Sequence, residues 1–385
     1  MDISPFQPVD RISNLPDNVI DKILMHFTIR DSAKTSILSK QWRYKWLNLP
    51  QLIFDDTLWQ ESARNQELDR MKFVGILYQV LFRHQGPVTK ISLIIPKLIG
   101  GSEIDHLIYI LWKKGVEEFT LKMTVGEEYK LPSSLFMCLQ LKHLSLSSCL
   151  INPPPIFKGF NRLIRLELDF VTIDARVLVN LISSCPLLEQ LVLHFLIEFD
   201  YLEIDAPMLK LFELNCSTAS VFLKNSPHLA IVSVTCGGGC DFGDGIRILI
   251  EFFDSVPALQ KLHMDYNFVK MVPYSAHERS DIMDFLKAQD YSDVLLNRLK
   301  KVTLSNIIGL VSEMALIKLL LEKSLMLKRM DIVWSAFKFD DELLRTMKEL
   351  NKFSNASPNA EVGSLFGPPA EVSAGGPNKL PTWEQ

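Results

Sequence analysis

The sequence predicts an α/β chain in two parts: a short all-helical module over residues 10–49, then a curved solenoid of repeats whose parallel strands line a concave face. Two observations predict the solenoid. An apolar frame at positions 0, +3 and +5 recurs along the chain, and proline stands two positions before the first anchor in four consecutive copies, Pro186/Leu188, Pro207/Leu209, Pro227/Leu229 and Pro257/Leu259. A third observation sets the module apart, because residues 10–49 do not follow that frame and carry helical spacing instead.

Within the module, Pro16 is expected at the first position of a helix, where its missing N–H is harmless, with Asp17 complementing the dipole in the first turn. Val19, Ile20, Ile23, Leu24 and Phe27 then share one stripe. Asp31 is expected to cap a second short helix through Ala33, Ile37 and Leu38, and Trp42 to Leu47 to form a third, rich in aromatic and basic residues. So few residues build little core by themselves, so this apolar surface must pack on the solenoid, on a partner, or on both.

Residues 50–87 are expected to be a linker and a capping helix, since Leu68, Met71, Val74, Leu77, Tyr78 and Leu81 keep helical spacing. Irregular repeats follow over 88–298. The copy Leu141-Lys-His-Leu144-Ser-Leu146-Ser-Ser-Cys149-Leu-Ile151 fits the leucine-rich frame at every anchor, and copies at Leu163 and Leu259 fit with apolar swaps. Looser copies start at Val88, Val116, Leu188, Leu209, Leu229, Leu299 and Leu327. Proline ahead of an anchor stops the preceding helix and sends the chain into the strand in extended geometry. Alternation then aims His143, Ser145, Arg165, Glu167, Gln190, His194, Lys210, Glu213, Lys261 and His263 off the concave sheet into solvent, as candidates for holding a target. Any solvated face needs such residues. The long interval after Leu259 holds an insertion over 266–298 with a short helix at Ile282 to Ala288. Terminal repeats fill 299–362, and the Gly-, Pro- and Ser-rich stretch 363–385 is expected to be disordered.

Composition excludes several functions. A net charge of −4 and a pI near 6.1 leave no overall basic field for nucleic acid or an anionic membrane. Lys40, Arg43 and Lys45 among Trp42, Tyr44 and Trp46 do not make a basic domain. No apolar run reaches the about 18 residues of a spanning helix, and the first residues lack a signal peptide's pattern, so a cytoplasmic or nuclear protein is expected. The six cysteines, Cys138, Cys149, Cys185, Cys216, Cys236 and Cys240, are too sparse for a disulfide scaffold and are expected as reduced thiols. Phosphate-loop, zinc-protease and nucleophile-elbow motifs are missing, and the Gly-rich run Cys236 to Gly245 has the wrong spacing for a dinucleotide. No cofactor, no metal and no catalytic residue is expected; His143, His194 and His263 are taken as separate solvated side chains.

The run Asp10-Arg11-Ile12-Ser13-Asn14-Leu15-Pro16-Asp17, continued by Ile23-Leu24, Ile29-Arg30-Asp31 and Thr35-Ser36-Ile37-Leu38-Ser39-Lys40-Gln41-Trp42-Arg43-Tyr44-Lys45-Trp46, resembles the F-box of plant F-box proteins. With the leucine-rich frame, the chain is similar to the plant F-box/FBD/LRR-repeat family. Leu299 to Ser324, followed by Leu343-Leu344 and Phe353 to Glu361, resembles a shortened FBD region. The resemblance implies a non-catalytic substrate-recognition subunit of an SCF-type (Skp, cullin, F-box) ubiquitin ligase. Such a subunit docks on a Skp adaptor, and through it on cullin and RING subunits, while the repeats hold an unidentified protein target. Carried over by position, Leu15, Pro16, Val19, Ile20, Ile23, Leu24, Ile29, Ile37, Leu38, Trp42 and Trp46 would contact the adaptor or position the helices that do. The family's usual Ser-Phe-Leu-Pro is replaced by Met25-His26-Phe27-Thr28. That departure frames the alternative, a repeat scaffold or sensor acting outside the ligase with a weakened F-box.

Overall fold

The structure, a computed structural model, describes residues 12, 15–55, 58, 66–95, 101–123, 128–196, 201–216, 220–236, 252–265, 296–335, 350 and 360–366. Cys240, most of the Gly-rich run, the Ile282 to Ala288 helix, residues 266–295 of the insertion and residues 367–385 lie outside them.

Helix α1 (Asp17–Leu24) begins one residue after Pro16, so the proline precedes the helix and does not occupy its first position. Asp17 pairs with Lys45 Nζ at 2.6 Å. Helix α2 (Ile29–Lys34) is capped by Thr28, whose Oγ1 accepts the Asp31 N–H at 3.3 Å. The cap is therefore Thr28 and not Asp31, because a hydroxyl at the residue before the helix reaches the N–H three positions on. Trp42 to Leu47 is not an α-helix; a turn leads into a single 3-10 turn, Lys45–Asn48. Pro50 ends it by holding Leu49 extended at φ −64°, ψ 132°.

The chain divides into two compact units, residues 1–199 with 204–208, and residues 200–203 with 209–385. In the first, β1 (Gln51–Phe54), β2 (Lys90–Ile95), β3 (Glu118–Met123), β5 (His143–Ser147), β7 (Arg165–Asp169) and β8 (Gln190–His194) lie side by side in that order, each pair parallel. Strands β4 (Tyr129–Lys130) and β6 (Cys149–Leu150) pair separately. Helices α3 (Gln66–Arg83), α4 (Gly101–Lys114) and α5 (Ala175–Ser183) are the return segments. In the second unit, β10 (Leu211–Cys216), β12 (Ile231–Cys236), β13 (Lys261–Asp265), β14 (Lys301–Ile307), β15 (Arg329–Trp334) and β16 (Glu361–Phe366) are likewise parallel neighbours. Strands β9 (Tyr201–Asp205) and β11 (Ser220–Asn225) pair with each other, and α6 (Val311–Lys323) joins β14 to β15.

The repeat frame explains this architecture residue by residue. Val88, Val116, Leu141, Leu163, Leu188, Leu209, Leu229, Leu259, Leu299 and Leu327 are all 3% exposed or less. The sheet strand that follows each of them starts two residues later. The carbonyl just after an anchor accepts two N–H groups of the next repeat: Lys142 and His143 donate to Glu117 O, Ile164 and Arg165 to Lys142 O, and Glu189 and Gln190 to Ile164 O.

The same rule exposes an earlier repeat. Leu49 is buried, β1 starts two residues after it, and Pro50 O accepts from Thr89 and Lys90. Within 50–87 the structure thus places a strand, β1, where a linker was expected, and the expected helix as α3. At the other end, Gly363–Phe366 is not disordered, because β16 pairs with β15 from Arg329↔Glu361 to Trp334↔Phe366. A glycine and a serine mask a strand whose support comes from its neighbour.

Candidate partner-binding surfaces

Ile20, Leu24, Trp42 and Leu49 form the core of the helical module, each 2% exposed or less, with Leu15, Ile23, Met25 and Trp46 packed on it. Short polar ties hold the turns on this core. Ser32 Oγ donates to Leu24 O at 3.3 Å, Gln41 Nε2 to Leu15 O at 3.3 Å, and Ser36 Oγ to Arg43 O at 2.9 Å. Outside the core stand Ile37, 88% exposed, and Leu38, 56% exposed. The Ser36 bond fixes the turn carrying them against the segment that carries exposed Tyr44. Pro16 and Phe27 are exposed as well, and Val19 is half-buried. Of the residues expected at a partner surface, Ile20, Leu24, Ile29 and Trp42 therefore face inward and position the rest. Carry-over by position from the family resemblance marked that set and passed over Tyr44.

The module is fused to the repeats. Gln85 and Gly86 N–H donate to Leu47 O, and His84 Nε2 donates to Leu49 O at 2.8 Å. The Gln51 side chain donates to Met25 O. Burial holds the His84 imidazole below its ordinary pKa, so the ring is kept neutral.

On the sheet face of the first unit, His143, Arg165 and Gln190 share one row across β5, β7 and β8. Ser145 and Glu167 share the next, and Ser147, Asp169 and His194 the next. Ion pairs and hydrogen bonds link neighbours: Lys90 to Glu118 at 3.1 Å, Lys142 to Glu117 at 2.7 Å, His143 to Glu118 at 3.5 Å, and Arg165 Nη1 to Gln190 at 2.7 Å. In the second unit, Lys210 precedes its strand and stands outside the rows, while Glu213, Ser233 and His263 align, with Lys261 one row away. His263 is not solvated. It is 6% exposed, with Nδ1 at 3.1 Å from Ser233 Oγ and Nε2 at 3.0 Å from Ser305 Oγ, because the small serines of the flanking strands leave room for the ring. His143 and His194 occupy different rows, so those two histidines do not converge. Among the described residues no group of three His, Cys, Asp or Glu could hold a metal ion. Cys138, Cys149, Cys185 and Cys216 are buried thiols outside any disulfide; burial pushes the Cys138 and Cys149 thiols up to about 12.

Two further features were not foreseen. Ser148, Phe170, Phe195 and Asn306 all have positive φ and all stand seven residues after an anchor. Phe170 and Phe195 stack at 4.6 Å, and phenylalanine at the same place in consecutive copies was the available signal. The second feature is Glu313, fully buried at the start of α6, whose carboxylate accepts the N–H groups of Ile308, Gly309 and Leu310. Burial pushes its carboxyl up to about 7, against the three donors that pull it down.

Three family models match in chain order: the F-box domain over residues 12–54, the LRR repeats of FBD-associated F-box protein At5g56370 over 104–262, and FBD over 293–332. The chain thus carries, in one sequence, the F-box, LRR and FBD regions that name F-box/FBD/LRR-repeat proteins. It is 37% identical over 259 residues to F-box/FBD/LRR-repeat protein At1g13570 of Arabidopsis thaliana, a match covering 66% of this chain and 61% of that protein. F-box/LRR-repeat protein At4g14103 of the same plant is 29% identical, over 61% of this chain and 64% of its own length. F-box/FBD/LRR-repeat protein At5g56420, also from Arabidopsis thaliana, is 29% identical over 60% of this chain and 57% of its own. The chain thus matches less than two thirds of the length of each of these relatives. The F-box match runs to residue 54 and so takes in β1, in keeping with the fusion of module and first repeat. The FBD match covers β14, α6 and most of β15, with Glu313 inside it. Among the described residues no helix is long and apolar enough to cross a membrane.

Proposed function

We propose that this chain is the substrate-recognition subunit of an SCF-type E3 ubiquitin ligase, acting in the cytoplasm or nucleus. Its F-box binds a Skp adaptor, which brings the cullin and RING subunits, and its repeats hold a protein target for ubiquitination. The chain contributes no nucleophile or base; holding a target lysine near a ubiquitin donor raises the rate through effective concentration. The observation that carries this reading is the exposed pair Ile37 and Leu38 on an F-box whose own core is already closed by Ile20, Leu24, Trp42 and Leu49. Burying two such side chains contributes about 1.5–3 kcal/mol each toward docking. Thr28 supports the same reading, since it builds the turn into α2 without the family's proline.

Co-expression with a Skp-type adaptor tests the proposal. The wild type should be recovered in a stoichiometric complex, and Ile37→Asp/Leu38→Asp, which leaves the core untouched, should deplete that complex at least about tenfold. A folded wild type that binds no adaptor would leave the scaffold reading in its place.

A further inference from the structure

Ser148, Phe170 and Phe195 follow the ends of β5, β7 and β8 along one rim of the first unit, with φ of 56°, 50° and 47°. Ser148 N–H donates to Asp169 O and Phe170 N–H to His194 O. The three therefore step across neighbouring strands directly after the row Ser147, Asp169 and His194. The repeat asks for that backbone, since Asn306 adopts it in β14 with φ 58°. It does not ask for phenylalanine. Left-handed geometry suits Asn and small residues, while a bulky side chain there is strained. Rings at this place in two consecutive repeats answer to something other than the turn.

The rings build a flat aromatic shelf. Phe170 and Phe195 stack with centroids 4.6 Å apart and planes 15° from parallel. That separation is close to the roughly 4.8 Å between neighbouring strands. One face of Phe170 thus meets Phe195, and the other looks toward Ser148, a side chain too small to cover it; Phe170 is 46% exposed. Next to Phe170 in the chain is Asp169, half-buried. Ser147 Oγ donates to its Oδ2 at 3.3 Å, one of about four hydrogen bonds that a carboxylate can accept. Burial lifts the Asp169 carboxyl above the usual range, with His194 and Lys122 pulling it down and Glu167 adding to the rise. A carboxylate half-withdrawn from water beside an exposed π face suits a cation that is planar and weakly hydrated. Guanidinium is both, whereas an ammonium is compact and holds its water.

We infer that the open face of Phe170 and the Asp169 carboxylate together seat an arginine side chain of a protein partner, its guanidinium flat on the ring and donating to the carboxylate. A fork of two N–H groups fixes the angle of approach as well as the charge. The inference rests on the reading that the repeats hold a protein target, and it names a residue that the target presents.

The test uses the full chain with fluorescein-labelled hexa-arginine and hexa-lysine peptides, whose equal charge cancels any pull from the chain's net −4. By anisotropy, wild type should bind hexa-arginine at least about fivefold tighter than hexa-lysine. Phe170→Asn, which introduces the residue that fills the same position as Asn306, should bring the two peptides within about twofold of each other. Asp169→Asn should weaken hexa-arginine at least about threefold. Phe82→Ser, at an exposed ring of α3, should keep the wild-type preference. Thermal unfolding separates a ligand role from a packing role: Phe170→Asn should melt at or above the wild-type temperature, because Asn accepts positive φ with less strain. No preference in wild type, a preference kept in Phe170→Asn, an unchanged affinity in Asp169→Asn, an equal loss in Phe82→Ser, or a lower melting temperature for Phe170→Asn overturns the inference. Adaptor recovery is measured in parallel and should be the same for every variant. A wild type that binds no adaptor defeats the receptor reading, while the ratio of the two peptides still decides the arginine seat.

Discussion

Glu313 shows how one side chain ties a helix start to solution conditions. Its folded pKa of about 7 lies above the ordinary 4.5, so between those values the folded state holds a proton that the unfolded chain has released. The stability Glu313 contributes is present in full below pH 4.5 and is lost as pH rises through about 7. That loss amounts to about 3 kcal/mol. Glu313→Gln should remove the dependence, so the difference in unfolding free energy between wild type and variant should shrink over that interval in urea titrations. Residue identity foretold only part of such detail. Asp31 and Thr28 are both good caps by type, and the choice fell to the side chain placed before the first turn of α2. Trp42 and Ile37 both fit a helical stripe, but one closes the module's core and the other stands in solvent. A pattern with a period of 3.6 residues cannot say which apolar side chain meets its own fold and which meets a partner.

Among the elements, the junction between module and repeats depends on a close backbone approach. A Cβ on Gly86 would lie 2.7 Å from Asn48 O, so Gly86→Ala must push apart the turn that carries Leu49 and the segment that carries His84. A cost of about 1–3 kcal/mol is expected. Gly75, inside α3 with no atom within 4 Å of an added Cβ, is the control. Gly75→Ala should stabilise by about 0.5–1 kcal/mol, as helix propensity dictates. Chemical denaturation of the two variants separates the effects. This junction was hidden in the sequence because β1 begins at Gln51 and the next strand at Lys90, an interval well beyond the roughly 20 to 29 residues of a leucine-rich repeat. Where the interval was regular, as from Leu141 to Leu163 and Leu188, anchors and strands fell where the frame put them.

For the whole molecule, the parallel-stranded architecture was legible because each repeat restates the same two instructions, bury the anchor and start the strand two residues later. The ends were not, since an end is defined by what it lacks. Among the described residues β16 is the last strand of its sheet, and its Ser364 Oγ accepts the Trp334 Nε1 proton at 2.7 Å. A chain ending at residue 359 should leave β15 as an open edge with Trp334 uncovered, and should aggregate on storage. A chain ending at residue 366 keeps the strand and should remain monodisperse by light scattering.

The bond from His84 to Leu49, with the Gly86 contact beside it, has a last implication for the proposed ligase. No slack separates the docking module from β1, so a target seated on the first unit's strands would swing with the adaptor as one arm. Its lysines would be chosen by bearing and reach, and a lysine a turn away on the target's surface would be passed over. A receptor with a loose tether would sample both.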